Sequence, residues 1–371
     1  MRRVGNSDDT VVQRRPHPKR HWAAWSGLVL LLIVGGVAGN LALRPAPPPA
    51  SFALRTAGEA EIAADQPQSL TLFRFAPNPL VLVLDFASLH EQGMMLNRVA
   101  AFVEKAGLPH DRVLNDTELA TAIRASGDTV ETWYLGHDYP AAALARFFDL
   151  AERDQVALGP QEEWLRGFVV RQGWRKPGAN GALISLPRVG AEPLIDDLAR
   201  QTILHHELSH GEYFTDPVYA AYVRHFWHDV LGEADRADFR HFLGSEGYDT
   251  GIEDLMTNEM QAYLMHTRDP RFFNAQALGM APDRMALLQA LFLLHMPEGW
   301  LKQETPAPAE PAAANQLAPA APAAPLPAAP ASAAAPVRAP RRRRQRLSCV
   351  FRTTAVPASL PPRPRTASIA A

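Results

Sequence analysis

Ile195, Ala199, Thr202, His206 and His210 fall on one stripe of a 3.6-residue repeat, so a helix built here turns two imidazoles inward beside its apolar side chains. Glu207 stands between them, and His206-Glu207-Leu208-Ser209-His210 reads HExxH. Positions four apart on a helix share a face, with Cβ atoms about 5–6 Å apart, so both rings reach one point and Glu207 sits beside the first. A divalent ion held at that point would have a general base alongside it. Pro193 suits a first helical turn, and Asp196 and Asp197 suit the positive end of a helix dipole. Gly211 reads as a stop, which predicts a helix over 193–210. Thr215, Asp216 and Pro217 then read as the cap and first turn of the next helix.

Two histidines are one donor short of a catalytic zinc site, which takes three protein ligands and keeps the fourth position for water. Residues 250–266 read as a helix in which Ile252, Met256, Glu259, Tyr263 and His266 share a face. Glu259 therefore interrupts an apolar row, where a buried carboxylate is costly unless a cation accompanies it. Asp216 and Glu212 are rivals by proximity to His210, but neither is embedded in the apolar face of a separate helix. The expected set is His206, His210 and Glu259 around Zn2+, with Glu207 as the catalytic residue.

On these residues the chain resembles the zincin metallopeptidases, and among them the gluzincins, in which the HExxH helix is followed by a second helix that supplies a glutamate ligand. The matching positions are His206, Glu207 and His210, with Asn258, Glu259, Ala262 and Tyr263 (NEMQAY) as the second helix. The resemblance covers these two helices only. It departs at Tyr263, where many gluzincins carry an aspartate that orients a histidine. The metzincin pattern fits less well, because Tyr213 takes the place of its glycine and Asp216 that of its final ligand. The resemblance implies a zincin-like fold and hydrolysis of amide bonds, with a peptide or protein substrate, a cell-envelope peptide being one option.

Composition divides the rest of the chain. Residues 1–22 form a basic leader and residues 23–43 an apolar run with Trp22 and Trp25 at its start. Such a run meets the roughly 20 residues a membrane crossing needs, and its basic flank belongs on the cytoplasmic side. The expectation is an uncleaved signal anchor, a transmembrane helix that places the remainder outside the cytoplasm, on the periplasmic side. Residues 44–50 are a Pro-rich spacer, residues 51–302 the folded domain, and residues 303–371 an Ala/Pro/Arg-rich tail whose composition cannot bury a core.

The first 44 residues hold 7 basic and 2 acidic side chains and residues 303–371 hold 9 and 2, which leaves 21 basic against 35 acidic in between. A domain of about −14 argues against nucleic acid as its partner. The single cysteine, Cys349, lies in the tail, so no internal disulfide or thiolate metal cluster is available.

The domain reads as α+β, with a mixed sheet in the N-terminal lobe and a mainly helical C-terminal lobe. Residues 70–75, 80–86, 132–135 and 182–186 read as strands, and residues 89–106, 116–125 and 140–153 as helices. The strand at 182–186 either buries itself in the sheet or accepts an extended substrate by strand addition. Gly136, His137, Asp138 and Tyr139 read either as a site loop or as a turn in which Asp138 caps a helix. His225, His228, His241, Tyr213, Tyr248 and Tyr263 are equal candidates for oxyanion stabilisation. A second class of function fits the same residues: a noncatalytic envelope binding or scaffold protein that retains the helix pair.

Overall fold

Five strands form one sheet, and of the helices that follow its last strand the one spanning Asp197–Thr215 makes the main packing against it. The computed structural model describes residues 53–305. Strands β1 (Arg55–Ala57), β2 (Thr71–Phe75), β3 (Val81–Phe86), β4 (His137–Pro140) and β5 (Ala182–Pro187) give a mixed sheet. β2 and β3 form an antiparallel pair, β1 runs parallel to β2, and β5 lies parallel to β3 and antiparallel to β4. β5 is thus interior, and all six of its residues are buried. This is why its sequence is an unbroken apolar run rather than an alternating one.

Between the strands lie α1 (Glu59–Ala64), α2 (Leu89–Val103), α3 (Asp116–Ala125), α4 (Ala141–Arg153) and α5 (Pro160–Arg171). After β5 the chain is helical: α6 (Asp197–Thr215), α7 (Pro217–His225), α8 (Glu233–Glu246), α9 (Glu253–Gln261), α10 (Ala275–Leu278), α11 (Pro282–His295) and α12 (Trp300–Glu304). Wide π-turns follow α7, at Phe226–Val230, and α9, at Ala262–His266. The architecture is α+β, with all the strands before residue 188 and only helices and turns after it among the described residues.

Period-two alternation splits the sheet's side chains between two cores. Phe73, Phe75, Val83, Ile184 and Leu186 face α6, meeting Ala199, Ile203, Leu204 and Leu208. Leu72, Leu82, Leu84, Phe86 and Leu183 join the other core with Leu96, Val99, Phe147 and Phe168 from α2, α4 and α5. A buried ion pair fastens α6 to the sheet: Arg200 donates from Nη1 and Nη2 to the two oxygens of Asp85 at 2.8 and 2.7 Å. The same guanidinium donates to the carbonyls of Ile62, Ala63 and Pro187, so its donors are satisfied in the interior.

Helix α6 begins later and ends later than the predicted 193–210. Asp196 caps it, its side chain accepting from Ala199 N at 2.9 Å, while Pro193 stays in the preceding turn. Gly211 does not stop it. A Cβ there would lie 2.8 Å from both methyls of Val81, so this glycine permits close approach of helix and sheet instead. The predicted strand at 132–135 is a turn, with Thr132 Oγ1 accepting from Thr129 N, and the strand lies at β4. The predicted helix over 250–266 is α9 followed by the π-turn.

The expected transmembrane signal anchor, and the periplasmic, membrane-tethered placement built on it, require correction. Among the described residues no helix is long and apolar enough to cross a membrane. Residues 1–22, 23–43 and 44–50, and residues 306–371 of the expected tail, lie outside the described residues.

Candidate metal centre

Helix α6 carries His206 and His210 one turn apart, on the side of the helix that meets α9 and its π-turn, while Leu204 and Leu208 pack in the core shared with the sheet. The two Nε2 atoms converge to 3.1 Å. The far nitrogen of His206, Nδ1, lies 2.7 Å from Thr267 Oγ1, and that hydroxyl donates to the Ala262 carbonyl. With its proton committed to the carbonyl, the Thr267 oxygen accepts from His206 Nδ1, which leaves the Nε2 lone pair facing His210. Burial holds His206 well below the ordinary imidazole range, with help from His210 and His205, and brings His210 to about 4. Both rings are therefore neutral near neutral pH, the form in which imidazole acts as a ligand.

Glu259 approaches from α9, with Oε2 3.8 Å from His210 Nε2. Its carboxylate is fully buried and neither oxygen has a hydrogen-bond partner. Burial raises its pKa well above the usual carboxylate range; Asp138 and Glu104 add to the effect, and a weak interaction with Tyr248 opposes it. Gln261 locks the helix in place, accepting from Tyr219 Oη at 2.7 Å and donating to Ser209 Oγ at 3.2 Å. The donor atoms of His206, His210 and Glu259 lie within 4.8 Å of one another. Two imidazole nitrogens and one buried carboxylate fit the set that catalytic zinc sites use. The Tyr263 ring meets His206 edge-on at 5.0 Å, and it is Thr267, four residues further on, that bonds the histidine.

Strand β4 completes the surroundings. Asp138 pairs in register with Ile184, on the α6 face of the sheet, and its Oδ2 lies 3.8 Å from His210 Nε2. His137, on the opposite face, bonds Ser185 Oγ at 3.0 Å and stacks on Tyr134. Of the two readings of this segment, neither a loop nor a helix cap is found; a strand delivers Asp138 to the site. Asp138, Glu207 and His210 offer donor atoms within 4.8 Å of one another, and so do Glu104, Asp138 and Glu259. Gly136, just before β4, leaves the space that the Glu207 carboxylate fills. Glu104, the residue after α2, was not a sequence candidate. A Glu-Lys pair closing an apolar helix looks solvated, yet Glu104 is 1 % exposed, and burial raises it to about 8 against the opposing effect of Lys105.

The other candidates fall away from the centre. Asp216 caps α7, accepting from Val218 N and Tyr219 N, and Glu212 accepts from Asn78 Nδ2 and Trp300 Nε1. His225, His228 and His241 are exposed, and Tyr213 donates to Asp254. Only Tyr248 and Tyr263, of the oxyanion candidates, neighbour the cluster. Strand addition to β5 is closed, since β3 and β4 occupy both its edges. None of His206, Glu207, His210, Glu259, Asp138 and Glu104 exceeds 4 % exposure. Compared with known protein families, with curated proteins and with solved structures, the chain finds no match.

Proposed function

We propose that this protein is a zinc-dependent hydrolase of the gluzincin kind, cleaving amide bonds in a peptide or protein. The observation that carries this reading is the convergence of His206 Nε2 and His210 Nε2 at 3.1 Å beside a buried Glu259 carboxylate without hydrogen-bond partners. His206, His210 and Glu259 would hold the ion, and zinc when bound supplies the Lewis acidity that makes water nucleophilic near neutral pH and polarises a carbonyl. Glu207, next to the first ligand on α6, takes the proton of the attacking water and delivers it to the leaving nitrogen. Thr267 fixes the ring of His206, and Gly136 fixes where the Glu207 carboxylate stands. The cover over the site must move for a substrate to enter, because its residues are buried.

The test is metal content and hydrolysis on one preparation of the full chain. Wild-type protein is expected to hold one zinc at the histidine pair and to cleave a mixture of synthetic peptides, with loss on chelation and recovery on adding zinc back. Glu207→Gln should keep zinc and lose roughly 10²–10⁴ in turnover. Full activity in that variant, or the absence of zinc in the wild type, sinks the reading.

A second reading is favoured by Asp138, whose Oδ2 is as close to His210 Nε2 as Glu259 is, at 3.8 Å. As a fourth protein ligand Asp138 would close the coordination and make the site structural. A crystal structure of the zinc-loaded chain separates the two, a water in place of Asp138 at the fourth position favouring the enzyme.

A further inference from the structure

The carboxylates of Glu104, Asp138 and Glu259 come from three separate elements, the end of α2, β4 and α9, and their oxygens lie within 4.8 Å of one another. The three residues are 1 %, 4 % and 0 % exposed. An ion at the histidine pair accounts for Glu259 Oε2, the oxygen nearest His210. It leaves Glu259 Oε1 and Glu104 Oε1 buried without a close hydrogen-bond partner, the hydroxyls of Tyr248 and Tyr134 acting on the two carboxylates only at longer range. Buried carboxylate oxygens in that condition are rare unless a cation or a shared proton compensates them. Lys105 offsets part of the charge on Glu104, but its ammonium sits over the rings of Trp133 and Tyr134, at 4.9 and 4.5 Å from their centroids.

We propose that Glu104, Asp138 and Glu259 form a second cation site, adjoining the first and sharing Glu259 with it, for a divalent ion of the oxygen-seeking class such as Mn2+ or Mg2+. The inference rests on the metal-site reading above, because Glu259 serves both ions. The donor sets differ in kind: two imidazoles and a carboxylate suit zinc, whereas three carboxylates suit a hard cation. The centre is thus a mixed pair bridged by one glutamate.

The full chain, stripped with a chelator and reloaded with one equivalent of zinc, is titrated with Mn2+ while the electron paramagnetic resonance of the free aquo ion is followed. Zinc outcompetes manganese at nitrogen-containing sites, so it keeps the histidine pair. The expected result is one Mn2+ bound per chain. In Glu104→Gln one zinc should remain while Mn2+ affinity falls at least about tenfold, since even outer partners of a metal are worth that much. Failure of the zinc-loaded wild type to bind Mn2+ overturns the second site and leaves the zinc reading standing; it would mean that the carboxyls share protons instead. Equal Mn2+ binding by wild type and Glu104→Gln also overturns it. Because the wild-type titration needs no substitution, a poorly folded variant does not protect the proposal. Absence of zinc from the reloaded wild type overturns the hydrolase reading and the shared pair with it.

Discussion

Gly136 yields the position of its missing Cβ to the carboxylate of Glu207: a methyl group built on that glycine would overlap Glu207 Oε1. The atom it meets is the end of a flexible side chain, so the carboxylate can swing aside without disturbing the backbone. Gly136→Ala is therefore expected to fold and to retain the metal while displacing the proposed base. Turnover should fall about 10²-fold, the effect of an ångström-scale misplacement. Unchanged turnover on the substrate that the wild type cleaves would show that Glu207 does not act from this position.

The hydroxyl of Thr267 gives His206 Nδ1 its acceptor in a buried setting. Thr267→Val removes that acceptor and keeps the shape, so the ring loses both its orientation and the tautomer that frees Nε2. Zinc affinity should weaken roughly 10- to 100-fold, read by competition with a chromophoric chelator, and Thr267→Ser should recover most of it.

Arg200 and Asp85 are both fully buried. Burial raises Asp85 to about 6 even with the guanidinium favouring its charge, so removal of Arg200 strands a costly carboxylate. Arg200→Met should destabilise the chain by about 3–5 kcal/mol in urea unfolding. Arg200→Met with Asp85→Leu should recover part of this loss but not all, because the carbonyls of Ile62, Ala63 and Pro187 also lose a donor. A double variant no better than the single one would locate the loss in those carbonyls.

His137 is held at about 3, by burial first and by Lys105 second. An unfolded chain protonates this ring as pH falls through about 6.5, whereas the folded chain does not until about 3. The residue therefore withdraws stability across that window as pH falls, at about 1.4 kcal/mol per pH unit once well below 6.5. His137→Gln cannot take up that proton. Its stability deficit at pH 7–8, from altered contacts with Ser185 and Tyr134, should shrink between pH 6 and 4 in the metal-free chain. A deficit that stays constant with pH would show that the ring is protonated in the folded state.

The legible part of the centre was the part written in helical periods. His206, His210 and Glu259 each sit in a row long enough for a 3.6-residue repeat to mark the inward face, and the structure brings them together. Asp138 escaped because β4 has four residues, too few for a period of two to declare a face. Glu104 escaped because burial at the end of α2 is imposed by tertiary packing and not by its own helix. Gly211 misled for a related reason: glycine marks helix ends and close contacts alike, and only the position of Val81 distinguishes them. Trp133 and Tyr134 gave residues 132–135 a strand-like composition, but the chain turns there and uses both rings as a seat for Lys105.

Six donors lie behind the surface at 4 % exposure or less, and this sets a clock as well as a chemistry. An ion lodged there exchanges with bulk water only when the cover breathes, so stripping by excess chelator should proceed at a rate independent of chelator concentration. If the chain cleaves peptides as proposed, the same breathing would admit the substrate, and the residence time of the metal would then track the ceiling on catalytic throughput.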